Sequence, residues 1–149
     1  MLSIGAVTAA AHIGNNFTTY LIGGLIDAHG FGPALMGAWS MVETLSYATA
    51  MFLLAPAAGR LRPRQLALAA GVLVMVAQAA AALLSSFPLL LLTRIGTGVG
   101  FGLLNTALNL AAGGTRHPAR AISIGITIQT LLFAAVNLRL PVVGERAGV

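Results

Sequence analysis

The chain has no cysteine and no lysine, and only three of its 149 residues are acidic. Without cysteine there is no disulfide framework and no thiolate metal site. Charge of either sign is scarce: 7% of residues are charged, 58% are hydrophobic and the mean hydropathy is +0.92. A soluble domain carries about 25% charged residues, so this chain cannot cover its own surface in water. Its solvent is expected to be a lipid bilayer. The net charge of +5 would suit nucleic acid, but the arginines sit in short loops between apolar stretches. That placement is a topological signal rather than a polyanion-binding face, so nucleic acid is not an expected partner.

Five apolar runs are present, 3–26, 33–58, 66–84, 89–112 and 121–140, each near the ~20 residues that cross a bilayer core. The first stops at the breaker-rich 27–32, and the second starts at Pro33, a natural first helical position. Arg60, Arg62 and Arg64 mark the turn before the third. Ser85-Ser86-Phe87-Pro88 leads into the fourth, a second basic loop with Arg116 and Arg120 into the fifth, and Pro141 is expected to end the fifth. Membrane strands would alternate polar and apolar residues over ~10 positions, and these runs are longer and continuous. The expected fold is an all-α membrane protein of five transmembrane helices, in one domain spanning 1–149 with no soluble domain.

Arginine placement sets the expected orientation. The loops after the second and fourth runs are basic and those after the first and third are not, which places the basic loops in the cytoplasm and the N-terminus inside. Arg139 and Arg146, after the fifth run, run against that pattern. A cleaved signal peptide is the rival for the N-terminus, but no positive n-region precedes Thr8-Ala9-Ala10-Ala11.

Polar side chains fall in stripes. His12, Asn15, Asn16 and Thr19 recur at i, i+3, i+4 and i+7, one face of a helix. The second run carries Trp39, Ser40, Glu43, Ser46 and Tyr47, and the fourth Arg94, Gly98, Gly102, Asn105 and Asn109. The fifth is weaker, with Ser123, Thr127 and Thr130 on one side and Gln129 elsewhere. The third has Gln78 as its only polar side chain and is expected to face lipid. Asn, Ser and Thr stripes also serve simply to glue helices, at about 0.6–2 kcal/mol each. The pairs Gly96/Gly100 and Gly98/Gly102, at spacing four, let a neighbouring helix approach closely.

Arg94 is the most informative residue, since a guanidinium within hydrocarbon costs at least roughly 2.5 kcal/mol unless it faces the bundle interior or a wet cavity. At 1.5 Å per residue, Glu43 lies ~15 Å below the outer end of the second run and Arg94 ~9 Å below that of the fourth, within reach of a long side chain. A buried Glu43–Arg94 pair is expected, either as a static tie or as a proton-exchanging one, the alternative being a snorkelling Arg94 with no contact to Glu43. Burial disfavours a carboxylate and an adjacent guanidinium favours it, so separating the two would move a proton. His12, at mid-membrane depth, is the other candidate for proton exchange.

These runs and loops resemble the N-terminal half of a major facilitator superfamily transporter. In that family the loop between helices two and three carries a glycine, an aspartate and alternating basic residues. Here Ala55-Pro56-Ala57-Ala58-Gly59-Arg60-Leu61-Arg62-Pro63-Arg64 keeps the basic residues, with Gly59 in the aspartate's place and Ala55 in the first glycine's. Arg94, Gly98 and Gly100 are similar to the arginine-plus-glycines motif of family helix four, associated with proton-coupled members, and Thr97 stands where that motif often has glutamine. The resemblance implies that helices one, two, four and five surround the substrate path. Gly125–Thr130 lacks the proline of the family's drug–proton antiporters.

Such transporters have two six-helix halves, each of two inverted three-helix repeats. The chain therefore reads as an incomplete six-helix half, expected to be a partial chain that works with a missing second half or by self-association. The function implied is secondary active transport of a small, unidentified solute by alternating access, with protons as the candidate coupling ion, in the cytoplasmic (inner) membrane. The substrate-path candidates are His12, Asn15, Asn16, Thr19, Glu43, Tyr47, Arg94, Asn105, Asn109 and Gln129. The alternative is a non-transporting helical module that packs with partner helices. An enzyme is not expected: His12, Glu43 and His117 do not converge, and no HExxH or Gly-x-Ser-x-Gly pattern occurs. No cofactor or metal is called for.

Overall fold

The computed structural model describes residues 22, 23, 26, 27 and 30–147, with the backbone alone over 136–147. The described residues are helical or in turns, without a strand. Four helices follow one another: α1 Pro33–Leu54, α2 Pro63–Leu83, α3 Phe87–Gly113 and α4 Pro118–Ala147, with a 3₁₀ segment Ala55–Arg60 continuing α1. Each includes a stretch long and apolar enough to cross a membrane: Pro33–Arg60, Pro63–Leu83, Phe87–Gly113 and Pro118–Ala135. They correspond to the second to fifth apolar runs. The first run, with His12, Asn15, Asn16 and Thr19, lies outside the described residues except at its end. There Ile26 and Asp27 are helical, and Gly30, at φ +66°, donates its N–H to the Ile26 carbonyl at 2.8 Å. That left-handed residue closing a turn is a usual helix terminator.

Proline positions explain where the helices begin. Pro33, Pro63 and Pro88 sit at the first or second helical position and Pro118 opens α4. The N–H that proline lacks is there one that no helix satisfies anyway. This corrects three expected starts: α2, α3 and α4 begin at Pro63, Phe87 and Pro118 rather than 66, 89 and 121. Pro56 acts differently. Its missing N–H and bulky ring end the α-helical bonding at Leu54 instead of residue 58, and the chain tightens into the 3₁₀ turn. Pro141 does not stop α4, which continues to Ala147. A proline's φ is compatible with a helix, and one lost backbone hydrogen bond leaves the rest of the ladder in place.

α3 is the axis of the molecule. Half of its membrane-length window is buried, against 11% in each of the other three. α1 and α2 both pack along it, whereas α4 touches it only lightly. The α1–α3 seam brings Glu43 and Tyr47 opposite Gly98 and Gly102, so these two helices run parallel. The α2–α3 seam brings Ala77 opposite Gly96 and Val74 opposite Gly100, so those run antiparallel. The basic turn after α1 and the basic loop after α3 therefore lie at the same end of the bundle, with Arg60, Arg62, Arg64, Arg116 and Arg120 all exposed.

The glycine strip makes this sandwich possible. Two residues along a helix turn it by about 200°, so the alternate glycines 96, 98, 100 and 102 face opposite ways. Gly98 and Gly102 press on the backbone of α1, where a Cβ at Gly102 would sit 2.7 Å from the Tyr47 carbonyl oxygen. Gly96 and Gly100 press on α2, where a Cβ at Gly96 would sit 3.2 Å from that of Ala77. The outer face of α2 presents Leu68, Val72, Met75, Val76 and Leu83, all exposed. That is the surface expected of a helix turned toward lipid.

A candidate functional site around a buried ion pair

Glu43 and Arg94 meet. Arg94 Nη1 donates to both carboxylate oxygens of Glu43, at 3.0 Å each. Both bonds come from one nitrogen, so the pair is end-on rather than the two-nitrogen fork. Arg94 is 2% exposed and Glu43 8%. Each helix supplies its residue from its interior, far from water, where an unpaired charge would cost several kcal/mol.

The surroundings complete the pair. Thr97, one turn beyond Arg94, donates its hydroxyl to Glu43 Oε1 at 2.9 Å, with the Arg94 carbonyl oxygen at 3.1 Å as the alternative acceptor. The Trp39 ring lies over the guanidinium, with Arg94 Cζ 3.4 Å from its centroid, a cation–π contact worth about 2 kcal/mol when desolvated. Trp39 is itself buried, at 2% exposure. Beyond it, Met36, Trp39 and Leu90 pack with Phe31, Leu84 and Phe87, and the Phe31 and Phe87 rings meet edge-to-face at 5.4 Å. This apolar cluster lies between the pair and the end of the bundle opposite the arginines.

Among the described residues, the buried Trp39 Nε1–H has no hydrogen-bond acceptor. An orphaned donor costs about 1–3 kcal/mol. Trp39→Phe keeps a ring over Arg94 and deletes the orphan, so it is expected to leave stability unchanged or raise it by about 1 kcal/mol. Trp39→Leu, which removes the ring face, should lower stability by about 2 kcal/mol. Unfolding of the two variants in detergent, followed by circular dichroism, checks the order.

A second polar contact lies toward the arginine end. Asn105 donates its side-chain amide to the Tyr47 hydroxyl and lies 3.4 Å from Met51 Sδ. Both Tyr47 and Asn105 are partly buried. The expected stripes are therefore joined in part. Trp39, Glu43 and Tyr47 of α1 meet Arg94, Gly98, Gly102 and Asn105 of α3, while Asn109 is exposed and Gln129 is half-buried. On α4, Thr127 and Thr130 donate their hydroxyls to the carbonyls of Ser123 and Ile126 in their own helix. Sequence reasoning missed Thr97 as a partner of Glu43. Its position one turn from Arg94 was the available signal, since residues three apart share a helix face.

No family model matches this chain, and it matches no curated protein and no solved structure.

Proposed function

We propose that the chain is part of a secondary transporter of the major facilitator type, in which α1 and α3 hold a proton-exchanging Glu43–Arg94 pair beside the solute path. The observation that carries this reading is the ion pair itself, an ionisable carboxylate and a guanidinium joined across two membrane-length helices. Intramembrane ionisable residues are kept chiefly for ion, proton or substrate movement. The parallel α1–α3 packing and the arginine-plus-glycine strip of α3 add support. In this reading the bilayer, a small organic solute and protons are the partners, and the arginine-bearing end faces the cytoplasm of an inner membrane. The apolar cluster around Trp39 would form the gate at the opposite end. Opening would part the pair, leave the carboxyl free to take a proton, and closing would expel that proton as the guanidinium returns.

The second reading is a non-transporting helical module. The completeness of the Glu43 environment favours it, because two bonds from Arg94 and one from Thr97 suit a static tie.

One assay separates them. Protein purified from its own membrane is reconstituted in vesicles, and small organic solutes are screened for accumulation under an imposed pH gradient. The transporter reading expects at least one solute to move with the gradient, and Glu43→Gln to abolish gradient-driven accumulation at equal protein incorporation. Solute and proton permeability no different from empty vesicles would favour the module.

A further inference from the structure

Glu43 engages only one corner of the Arg94 guanidinium. Both bonds come from Nη1, and among the described residues no hydrogen bond is formed from Nε or Nη2. Those two nitrogens form the edge that holds a carboxylate through two parallel N–H bonds. The Trp39 ring over the guanidinium carries a further donor, the buried Nε1–H that has no described acceptor. The site is thus rich in donors, with Glu43 as its one described carboxylate. That chemistry disfavours a cation and suits an anion.

Charge balance sharpens the choice. Arg94 keeps its proton and is 2% exposed, so it needs a counter-charge throughout any working cycle. Of the three acidic residues, only Glu43 supplies one. Asp27 is exposed, and residue 145 lies ~40 Å along α4 from Pro118. The residues outside the description hold no aspartate or glutamate, and the first run offers only His12 and Tyr20 as titratable side chains. The one charge of α2, Arg64, is exposed at its start, as is Arg120 of α4, whose other charges follow its membrane-length stretch. Tyr47, one turn along α1, is engaged by Asn105. If Glu43 takes a proton, no other side chain of the chain can replace it at Arg94.

We propose that the transported solute is a small organic monocarboxylate, which binds Arg94 as Glu43 gains a proton. This rests on the transporter reading and names its solute class. The Glu43–Arg94 bonds open, the proton joins a Glu43 carboxylate oxygen, and the solute carboxylate takes the Nε–Nη2 edge. The buried charge is the same before and after. One proton and one anion are therefore held together, and neither is held alone.

The test is titration calorimetry of the purified protein in detergent with lactate, butyrate and benzoate, and with their amides, above pH ~6 where the acids are ionised. At least one acid should bind and its amide should not. Its affinity should fall about tenfold per pH unit, the slope of one proton taken up with each anion. Glu43→Gln, which has no carboxyl to protonate, should bind the acid with an affinity independent of pH. Arg94→Met should lose binding, and so should the double variant Glu43→Leu, Arg94→Met, in which no buried charge is left to impair folding. No binding of any acid, equal binding of acid and amide, or an affinity independent of pH in the unaltered chain would overturn the proposal. So would binding that survives in the double variant. Vesicle uptake separates this from the transporter reading. Gradient-driven accumulation of neutral solutes alone would keep that reading and overturn the monocarboxylate, whereas acid binding with the tenfold slope but no accumulation would support the anion site and remove the transporter.

Discussion

Glu43→Ala is expected to destabilise the chain by about 3–5 kcal/mol, the largest effect of any single substitution at the site. It leaves the Arg94 guanidinium buried at 2% exposure without its counter-charge, and breaking one side of a buried pair costs about that much. Arg94→Met should cost distinctly less. Arginine cannot shed its proton in a protein, whereas the carboxyl left behind by Arg94→Met can become neutral and still accept from Thr97. The double variant Glu43→Leu, Arg94→Met should recover most of the loss, because an apolar replacement of a whole buried pair is often neutral or stabilising. Equilibrium unfolding of the parent, Glu43→Leu, Arg94→Met and the double variant in mixed detergent micelles gives the cycle. Additive losses would mean that the residues do not act as a pair.

The second large effect is Gly98→Ala. The new Cβ would lie on the Glu43 carbonyl oxygen and 2.8 Å from Ser46 Cβ. Both belong to the body of α1, so relief requires the helices to part. Overpacking of this kind costs about 1–3 kcal/mol, and the shift also draws Glu43 away from Arg94. Gly102→Ala, against the Tyr47 carbonyl at 2.7 Å and Ala50 Cβ at 2.9 Å, should be similar. Gly96→Ala, facing Ala77 Cβ at 3.2 Å, should be mild. Gly71 of α2 has nothing within 4 Å, and Gly71→Ala should stabilise by about 0.5–1 kcal/mol through helix propensity alone. Thermal unfolding of the series should rank them in that order. A Gly98→Ala protein as stable as Gly71→Ala would mean that α1 and α3 do not pack as described.

The ion pair was legible in the amino-acid sequence because only depth was needed to find it. One carboxylate and one guanidinium lay within two otherwise apolar runs, and counting residues from the run ends placed them within a side chain's reach. The glycine pairs were legible as close-packing positions for a similar reason. Their division between two partner helices follows from the spacing of two, once α3 is known to be the middle helix. The surroundings of the pair were harder to read. Trp39 sits where an interfacial residue would also sit, and only the tertiary packing of Met36, Leu90 and Phe87 around it shows it to be buried. Thr97 was read only as standing in the place of the motif's glutamine, with no partner assigned to it. Asn109 continued the α3 stripe in the helical count, but the face it occupies near the end of α3 is left open. Pro33 marked its helix start correctly, but the limits near Pro56, Pro63, Pro88, Pro118 and Pro141 were misplaced, because proline starts a helix, tightens it or is passed over according to its position. His12, Asn15, Asn16 and Thr19 lie outside the described residues, so their part in the site remains an expectation of the sequence.

The claim on which the rest stands is that Glu43 and Arg94 are paired between α1 and α3 within the bilayer. Residues 43 and 145 are the only glutamates, so a Glu145→Gln chain isolates Glu43. In that chain, solid-state NMR in lipid bilayers can measure dipolar dephasing between the ¹³C carboxyl of glutamate and ¹⁵N-labelled arginine side chains. The pair requires dephasing that corresponds to a separation of about 4 Å, lost when Arg94 is replaced by methionine. A Glu43 carboxyl with no dephasing, or one whose dephasing survives Arg94→Met, would contradict the pairing.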